Sequence, residues 1–358
     1  MILGDLAKRK ISWVNGGGIV LSTRARIARN LHDRYFPSRA DASALRDVFD
    51  CTVSAVSGIP QFSDASVLKL NALDRIDRHL LMERHLISHE MASLKRTTDE
   101  QGVVFTSDEK VSIMINEEDH IRIQCLLQGL ATNSAYLIAS GTEDSLGNVM
   151  KFAYSRRYGF LTSCPTNVGT GLRISCLLHL PAMVLTDSIE NLLNGIRKAR
   201  MAARGFYGEG TKPIGDIFQI SNSTTLGATG EEIVHRFDRV VRTITRYETE
   251  ARRKLLKESK HKLEDMIYRA YGILEYARSI SSEEAILCLT KIRLCSDLNI
   301  NLPVNSNHVD QLIFILQPGH LQEISNRALS PEERDIERTR LIRERLFGTG
   351  DIKRGKQK

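Results

Sequence analysis

The stretch YGFLTSCPTNVGTGLRIS, residues 158–175, packs one cysteine, a Gly-Thr-Gly turn and one arginine into a single loop and the strand after it. Pro165, directly after Cys164, lacks a backbone donor and excludes regular helix at that point. Gly169 and Gly171 let the backbone approach a ligand closely before Arg173 enters the apolar run ISCLLHL. A strand-edge loop built this way reads as an anion site.

Upstream, KVSIMIN alternates Val111, Ile113 and Ile115, and DHIRIQCL alternates Ile121, Ile123 and Cys125. The pattern predicts a hairpin whose connection carries Asn116, Glu117 and Glu118, so two carboxylates sit at a strand end. The first eighteen residues end in Asn15-Gly16-Gly17-Gly18, read as a flexible hinge, with the folded part starting near Ile19 in the strand-like IVLST. Residues 64–95 read as helical, with Leu68, Leu73, Ile76, Leu80, Leu81 and Leu86 on one side. SIENLLNGIRKARMAAR reads as a helix stopped by Gly205, and GDIFQISNS as a strand.

From Glu231 the text turns to long helices. Ile233, Val234, Phe237, Val240, Val241, Ile244 and Tyr247 hold a helical period. HKLEDMIYRAYGILEYAR, SSEEAILCLTKIRL with its Ser281-to-Glu284 capping box, and NHVDQLIFIL, stopped at Pro318-Gly319, follow. In the last helix Ser330 caps, Pro331 takes the first position, Glu333 completes a capping box and Gly348 ends the run. The expected architecture is an N-terminal segment over 1–18, an α+β domain with an antiparallel sheet flanked by helices over 19–250, and an all-α C-terminal domain over 251–358.

At 358 residues and 42% hydrophobic content the chain can bury a real core, and no run is long and apolar enough for a membrane span. Six scattered cysteines without a C-x-x-C pair argue against a zinc site or a disulfide framework, and no metal-ligating residue is assigned. These features predict a cytoplasmic protein. The formal charge of +7 is not accompanied by a nucleic-acid-binding motif, and aromatics are only 6%, so it points to an anionic small ligand or an acidic partner rather than nucleic acid.

Arg24 and Arg26 alternate on one strand and share a face, while Arg122 and Arg173 sit inside apolar runs. An unpaired charge there would cost several kcal/mol, so each needs a carboxylate partner or an anionic ligand. Several such arginines on strands favour a polyanion such as a nucleotide triphosphate, because guanidinium forks grip phosphate oxygens bidentately. No G-x-x-x-x-G-K-[ST] run exists, so arginines rather than a P-loop would hold the phosphates.

CPTNVGTGLR and NEEDHIR together resemble the phosphagen (guanidino) kinases, whose pattern contains C-P-[ST]-N-x-G-T-G-x-R and N-E-E-D-H. The short N-terminus, the YGEG turn and the C-terminal helices look more specifically like the bacterial protein-arginine kinases, and the resemblance runs from about Ile19 to the final helix. It implies a phosphagen-kinase-like catalytic domain that uses ATP and Mg²⁺. Arg24, Arg26, Arg122, Arg173 and Arg204 would clamp the phosphates, with Ser22, Thr23, Ala25, His85, Ile174, Ser175, Gly205, Gly208 and Glu209 also on the nucleotide side. Glu209 could offer a further carboxylate to a protein substrate's arginine. Glu117 and Glu118 fall on the acidic pair that grips and deprotonates the guanidinium, and Cys164 on the family's reactive cysteine. The chemistry agrees with these roles: a guanidinium with pKa above 12 is no nucleophile until a carboxylate orients it and takes a proton.

In the last helix Arg334-Asp335-Ile336-Glu337-Arg338-Thr339 resembles the R-D-x-x-R-A motif that binds phosphoarginine allosterically in these kinases, with Thr339 in place of the alanine. The resemblance implies protein substrates with exposed arginines, marking for a Clp unfoldase–protease in stress response, and an activator protein. Two other readings compete: a kinase of a small free guanidino compound, and a non-catalytic phosphoarginine-binding adaptor. Against the first, a short segment stands where those kinases carry a helical domain of roughly a hundred residues. Leu312, Ile313, Leu316, Leu341, Ile342 and Leu346 offer apolar faces for a homodimer, or equally for an ordinary core.

Overall fold

The computed structural model describes residues 2–14, 17–93, 100–205, 214–298 and 300–348. Its strands are β1 (Val20–Arg29), β2 (Ser66–Lys69), β3 (Gly102–Phe105), β4 (Val111–Ile115), β5 (Ile121–Gln128), β6 (Tyr154–Ser155), β7 (Gly159–Phe160), β8 (Leu172–His179), β9 (Met201–Gly205) and β10 (Ile217–Asn222). Eight of them form one sheet in the order β2-β3-β4-β5-β1-β8-β10-β9, and every pairing in it is antiparallel. β6 and β7 make a separate small hairpin.

The helices up to the sheet's last strand are α1 (Ile2–Lys8), α2 (Ala42–Ser57), α3 (Arg75–Glu83), α4 (His89–Ser93), α5 (Thr132–Gly147), α6 (Pro181–Leu185) and α7 (Ile189–Lys198). After it come α8 (Gly230–Glu258), α9 (Lys260–Tyr276), α10 (Ser282–Asp297), α11 (Ser306–Ile315), α12 (Pro318–Ser325) and α13 (Pro331–Phe347). Alternation along β1 decides the layering, because successive side chains leave opposite faces of a strand. Ala25 and Ile27, with Ile123 and Cys125 of β5 and Ile174 and Cys176 of β8, face a core closed by α2, α5 and α8. The opposite face carries Arg24 and Arg26, beside Ser175 and Arg173 of β8 and Leu126 and Gln124 of β5. Two apolar clusters cover the flanks of this second face. One joins Val103, Phe105 and Met114 to α1, α3 and α4; the other joins Leu126, Leu177 and Ile217 to α9–α13. The polar centre between them is left as a cavity.

Several expectations change. The folded part starts well before Ile19: Leu3, Leu6 and Ala7 pack into the α3 cluster, while Ile11 and Trp13 are fully buried under the C-terminal helices, and Asn15 and Gly16 of the expected hinge lie outside the described residues. Residues 64–95 are not one helix. Leu68 lies on the edge strand β2, and α3 starts at a capping box of Asp74 and Asp77, which fixes its first turn. The helix expected to run on to Gly205 ends at Lys198; Arg200 adopts φ +56° and MAARG becomes strand β9, paired with β10. Pro318 opens α12 rather than only closing α11, since proline suits a first helical position.

The expected boundary at 250 falls inside α8, one helix of 29 residues shared by both regions. The apolar residues considered for a homodimer, Leu312, Ile313, Leu316, Leu341, Ile342 and Leu346, are all buried in the chain's own C-terminal core. Each gains about 1.5–3 kcal/mol there, so none is available as a dimer face.

Candidate functional site

On the polar face of the sheet a cavity of about 1010 Å³ is lined by Arg24, Arg26, Arg122, Arg173, Arg204, His85, Glu117, Glu118 and Cys164. Residues directly opposite in neighbouring strands share a face. Arg26 lies opposite Arg173, Ala28 opposite Arg122, and Gln219 of β10 opposite Arg204, so the adjacent strands β5, β1 and β8, with β9 beyond β10, deliver the arginines together.

The charges are unbalanced. Arg122 pairs with Glu117 at 2.7 Å and with Glu118 at 3.4 Å. Arg24 Nη2 donates only to the neutral Gln219 amide at 3.3 Å, and Arg26 Nε is buried without a hydrogen-bond partner. Burial, then the charges of Arg122 and Arg173, pushes Arg24 down to about 10. Burial and the neighbours Arg24, Arg122 and Arg173 push Arg26 well down, against an opposing pull from Glu117. A guanidinium does not in practice deprotonate, so the shared burial and mutual repulsion of these arginines favour an anion between them.

The loop after β4 shows why the carboxylates point inward. Asn116 takes φ +57° and donates its amide to the carbonyls of Leu45 and Glu100 at 2.8 Å, turning the chain sharply. Asp119, fully buried, accepts from Asn30 Nδ2 at 2.6 Å and from Ser163 N at 2.7 Å. His120 Nδ1 accepts from Leu31 N at 3.1 Å, so its Nε2 carries the proton donated to the Tyr35 carbonyl at 3.0 Å. Burial holds His120 down to about 4, which keeps it neutral. Asn116, Asp119 and His120 are therefore scaffold, and Glu117 and Glu118 are left for the cavity. Glu117 is buried on Arg122, whereas the Glu118 side chain is 40% exposed.

Cys164 stands at the start of a short 3₁₀ turn with its Sγ 3.0 Å from Thr166 Oγ1. Asp119 ties this loop to the hairpin, and Thr225 Oγ1 donates to the carbonyls of Thr166 and Val168. Gly171 lines the cavity, and both glycines of this loop also serve packing within the chain. A Cβ on Gly171, at φ +62°, would lie 2.6 Å from Ala28 O, and one on Gly169, at φ +110°, 2.5 Å from Thr225 O. They let the loop lie against the chain's own backbone. Arg29, the third arginine of the LSTRARIARN run, serves the same purpose: it pairs with Glu143 at 2.6 Å, donates to Thr170 O at 2.9 Å and stacks on Phe160.

His85 adopts φ +60° between Trp13 and Phe314, with ring centroids 4.8 Å and 6.1 Å away. Burial, then Arg24 and Arg26, pushes its imidazole down to about 3, so it presents a neutral ring to the cavity. Of the other residues implicated on the nucleotide side, Thr23 turns away to Gly129 O and Cys176, and Ala25 and Ile174 enter the opposite core. Ser22 and Ser175 are buried on the arginine face, and Gly205 is buried at the end of β9. Gly208 and Glu209 lie outside the described residues.

Sequence reasoning missed Asn30 and Asp119, which anchor the hairpin, and Gln219, Phe314 and Gln317, which line the cavity. Their partners lie far away in the chain, and only the N-E-E-D-H string hinted at one of them, Asp119. In α13, Arg338 is buried and donates to Ile280 O at 2.6 Å and Leu316 O at 3.1 Å while pairing with Asp335. Arg334 donates to Leu329 O at 2.8 Å, and Thr339 Oγ1 to the carbonyls of Ile336 and Arg278. Here the motif knits the C-terminal helices together.

Residues 47–251 match the ATP:guanido phosphotransferase C-terminal catalytic domain, and residues 260–356 match the protein-arginine kinase McsB C-terminal domain. A protein-arginine kinase of Halothermothrix orenii is 41% identical over 351 residues, covering 97% of this chain and 99% of that one. The protein-arginine kinase of Bacillus subtilis is 41% identical over 342 residues, covering 94% and 93%. Among solved structures, the duplicated taurocyamine kinase of Schistosoma mansoni superposes with a TM-score of 0.60 at 25% identity, over 68% of this chain and 35% of the duplicated one. A lombricine kinase shares the fold with a TM-score of 0.58 over 70% of each chain.

Proposed function

The chain belongs to the protein-arginine kinase family, and from that premise we propose that it transfers the terminal phosphoryl group of ATP to arginine side chains of proteins. The observation that carries this is the convergence of Arg24, Arg26, Arg122, Arg173 and Arg204 with Glu117, Glu118 and Cys164 in one cavity. The arginines bind and align the triphosphate and stabilise charge on the moving phosphoryl group, where most catalysis of this reaction comes from. Glu117, held by Arg122, orients the incoming guanidinium. Glu118, more open, accepts its proton as the N–P bond forms. Cys164 lies beside the acceptor and tunes its placement.

Magnesium supplies charge neutralisation on the phosphates. The donor set fits an ion carried mainly by the nucleotide and water with a carboxylate nearby: among the described residues no group of three or more His, Cys, Asp or Glu side chains could hold it alone.

As part of the same reading, the phosphoarginine mark directs substrates to a Clp-type protease in the cytoplasm, under an activator protein and the α13 motif; this rests on the family resemblance. No helix among the described residues is long and apolar enough to cross a membrane. Acid-free mass spectrometry of a protein substrate incubated with ATP and Mg²⁺ tests the proposal. Phosphoarginine on the protein is expected; turnover of free arginine alone, or no product, overturns it.

A further inference from the structure

The row of arginines has a direction. The hairpin tip lies beyond the Arg29–Ile121 pair, so the acceptor end of the cavity is at the C-terminal end of β1. From there Arg122 stands opposite Ala28, Arg173 opposite Arg26, and Ser175 opposite Arg24. At about 3.3 Å per residue, the row from Ala28 to Arg24 spans roughly 13 Å, room enough for a triphosphate laid along it. With the transferring phosphoryl group at Glu117 and Glu118, the nucleotide's base falls past Arg24.

That end of the cavity is walled by segments remote in sequence. His85 is held by its own carbonyl, which accepts from Gln124 Nε2 at 2.6 Å. Its ring contacts Phe314 of α11, and Trp13 meets Phe314 edge-on at 4.9 Å. Phe314 and Gln317, both buried, line the cavity at the junction of α11 and α12, and Gln317 Nε2 donates back to Ile313 O at 3.2 Å. The junction is fixed from the catalytic side. Glu83, at the end of α3, accepts from Gly319 N at 2.7 Å, His320 N at 2.8 Å and His320 Nδ1 at 2.9 Å. The approach is so close that a Cβ on Gly319 would lie 2.8 Å from both Glu83 Oε2 and Leu80 N. Next to it, Arg338 of α13 grips Leu316 O.

We propose that the α11–α12 junction sets the base end of the nucleotide site. Phe314 is a positioning residue that holds the His85 ring as the surface on which a purine packs, and Gln317, tied back to α11 through Ile313 O, is a specificity residue whose side chain borders the base edge. The inference rests on ATP being the phosphoryl donor. It extends that reading by assigning part of the donor site to a region beyond residue 251, where the guanido phosphotransferase match ends. The chemistry suits the ligand: a purine offers an apolar face for stacking and a rim of donors and acceptors that a primary amide can pair with.

Trp13 is the chain's single tryptophan and lies 4.8 Å from His85, so its fluorescence reports occupancy of this end of the site in the full-length protein. Titration of the wild type with ATP and Mg²⁺ should change that emission. In Phe314→Ala the Kd and KM for ATP should rise about tenfold, with kcat at saturating ATP and KM for the protein substrate unchanged, and Phe314→Tyr should restore binding. Gln317→Leu should narrow the preference for ATP over GTP, read as the ratio of their KM values. Unchanged ATP affinity in Phe314→Ala together with an unchanged ATP/GTP ratio in Gln317→Leu overturns the proposal. So does a parallel loss of kcat and both KM values in Phe314→Ala that Phe314→Tyr does not restore. If Phe314→Ala fails to fold, Phe314→Leu and the Gln317→Leu ratio decide by the same criteria. A wild type that gives no ATP signal and no phosphoarginine fails the kinase reading itself, whereas a wild type that binds ATP with variants indistinguishable from it fails only this one.

Discussion

The Asp119 carboxylate accepts the backbone N–H of Ser163 at 2.7 Å, which ties the carboxylate-bearing hairpin to the residue just before Cys164. The same oxygen accepts from Asn30 at the end of β1, so one buried side chain spaces Glu117, Glu118 and Cys164. Asp119→Ala leaves Ser163 N without its acceptor, at a cost of about 1–3 kcal/mol, and Asn30 Nδ2 with only the longer bond to Leu161 O at 3.3 Å. Because a shift of about 1 Å in a reacting group costs on the order of a hundredfold, kcat should fall by roughly that factor. ATP affinity should change less than kcat, since Arg24, Arg26, Arg173 and Arg204 stand on strands outside this hairpin and only Arg122 adjoins it. Steady-state kinetics with both substrates varied checks this; a variant with wild-type kcat would show that the two loops hold their places without Asp119.

Glu117 and Glu118 are adjacent in sequence but differ in environment. Glu117 is buried on Arg122 at 2.7 Å, and Glu118 reaches the same guanidinium only at 3.4 Å from a more open position. Glu118→Gln should therefore reduce phosphoryl transfer by about 10²–10⁴ while ATP binding, read from Trp13 emission, is retained. Glu117→Gln should weaken ATP binding as well, because it releases Arg122. Equal effects of the two substitutions on the Kd for ATP would contradict the division of roles.

Much of this was readable before the fold was known. Alternation put Arg24 and Arg26 on one face, and the hairpin placed two carboxylates at its tip, because those inferences depend only on neighbours within a strand. What escaped depends on partners far along the chain. Asp119 looks like one more acidic loop residue until Asn30 and Ser163 meet it. MAARG reads as the end of a helix until β10 pairs with it and turns Arg204 onto the arginine face. Trp13 and Phe314 are 301 positions apart, and nothing local to either signals that they sandwich His85. The glycines of the Cys164 loop also lie against the protein's own backbone, at Ala28 and Thr225, contacts that nothing local to them signals.

Two neutral histidines give the fold a defined sensitivity to acid. His85 is held down to about 3 and His120 to about 4, both chiefly by burial. A depressed histidine contributes stability that is full above its unfolded value near 6.5 and is lost as pH falls toward the folded value. Each costs about 1.4 kcal/mol per pH unit across that window. His120→Asn should be less stable than wild type at pH 7.5, and the gap should shrink by about that slope from pH 6.5 down toward 4. Urea unfolding at a series of pH values measures it. A gap independent of pH would mean that His120 is not neutral in the folded protein.

Arg338 separates a structural from a regulatory use of the α13 motif. Its guanidinium donates to Ile280 O and Leu316 O and pairs with Asp335, whose side chain is 34% exposed. Arg338→Ala strands two buried carbonyls and opens a cavity among α10, α11 and α13, so it should lower stability by about 3–5 kcal/mol. Asp335→Ala leaves Arg338 its carbonyl acceptors and should cost about 1 kcal/mol, with basal kinase activity unchanged. If the motif also binds phosphoarginine, the Asp335 variant alone should lose any response of the kinase to added phosphoarginine. Chemical denaturation and activity assays with and without that ligand separate the cases. A basal rate in Asp335→Ala that falls in step with its stability would leave the motif with the structural role alone.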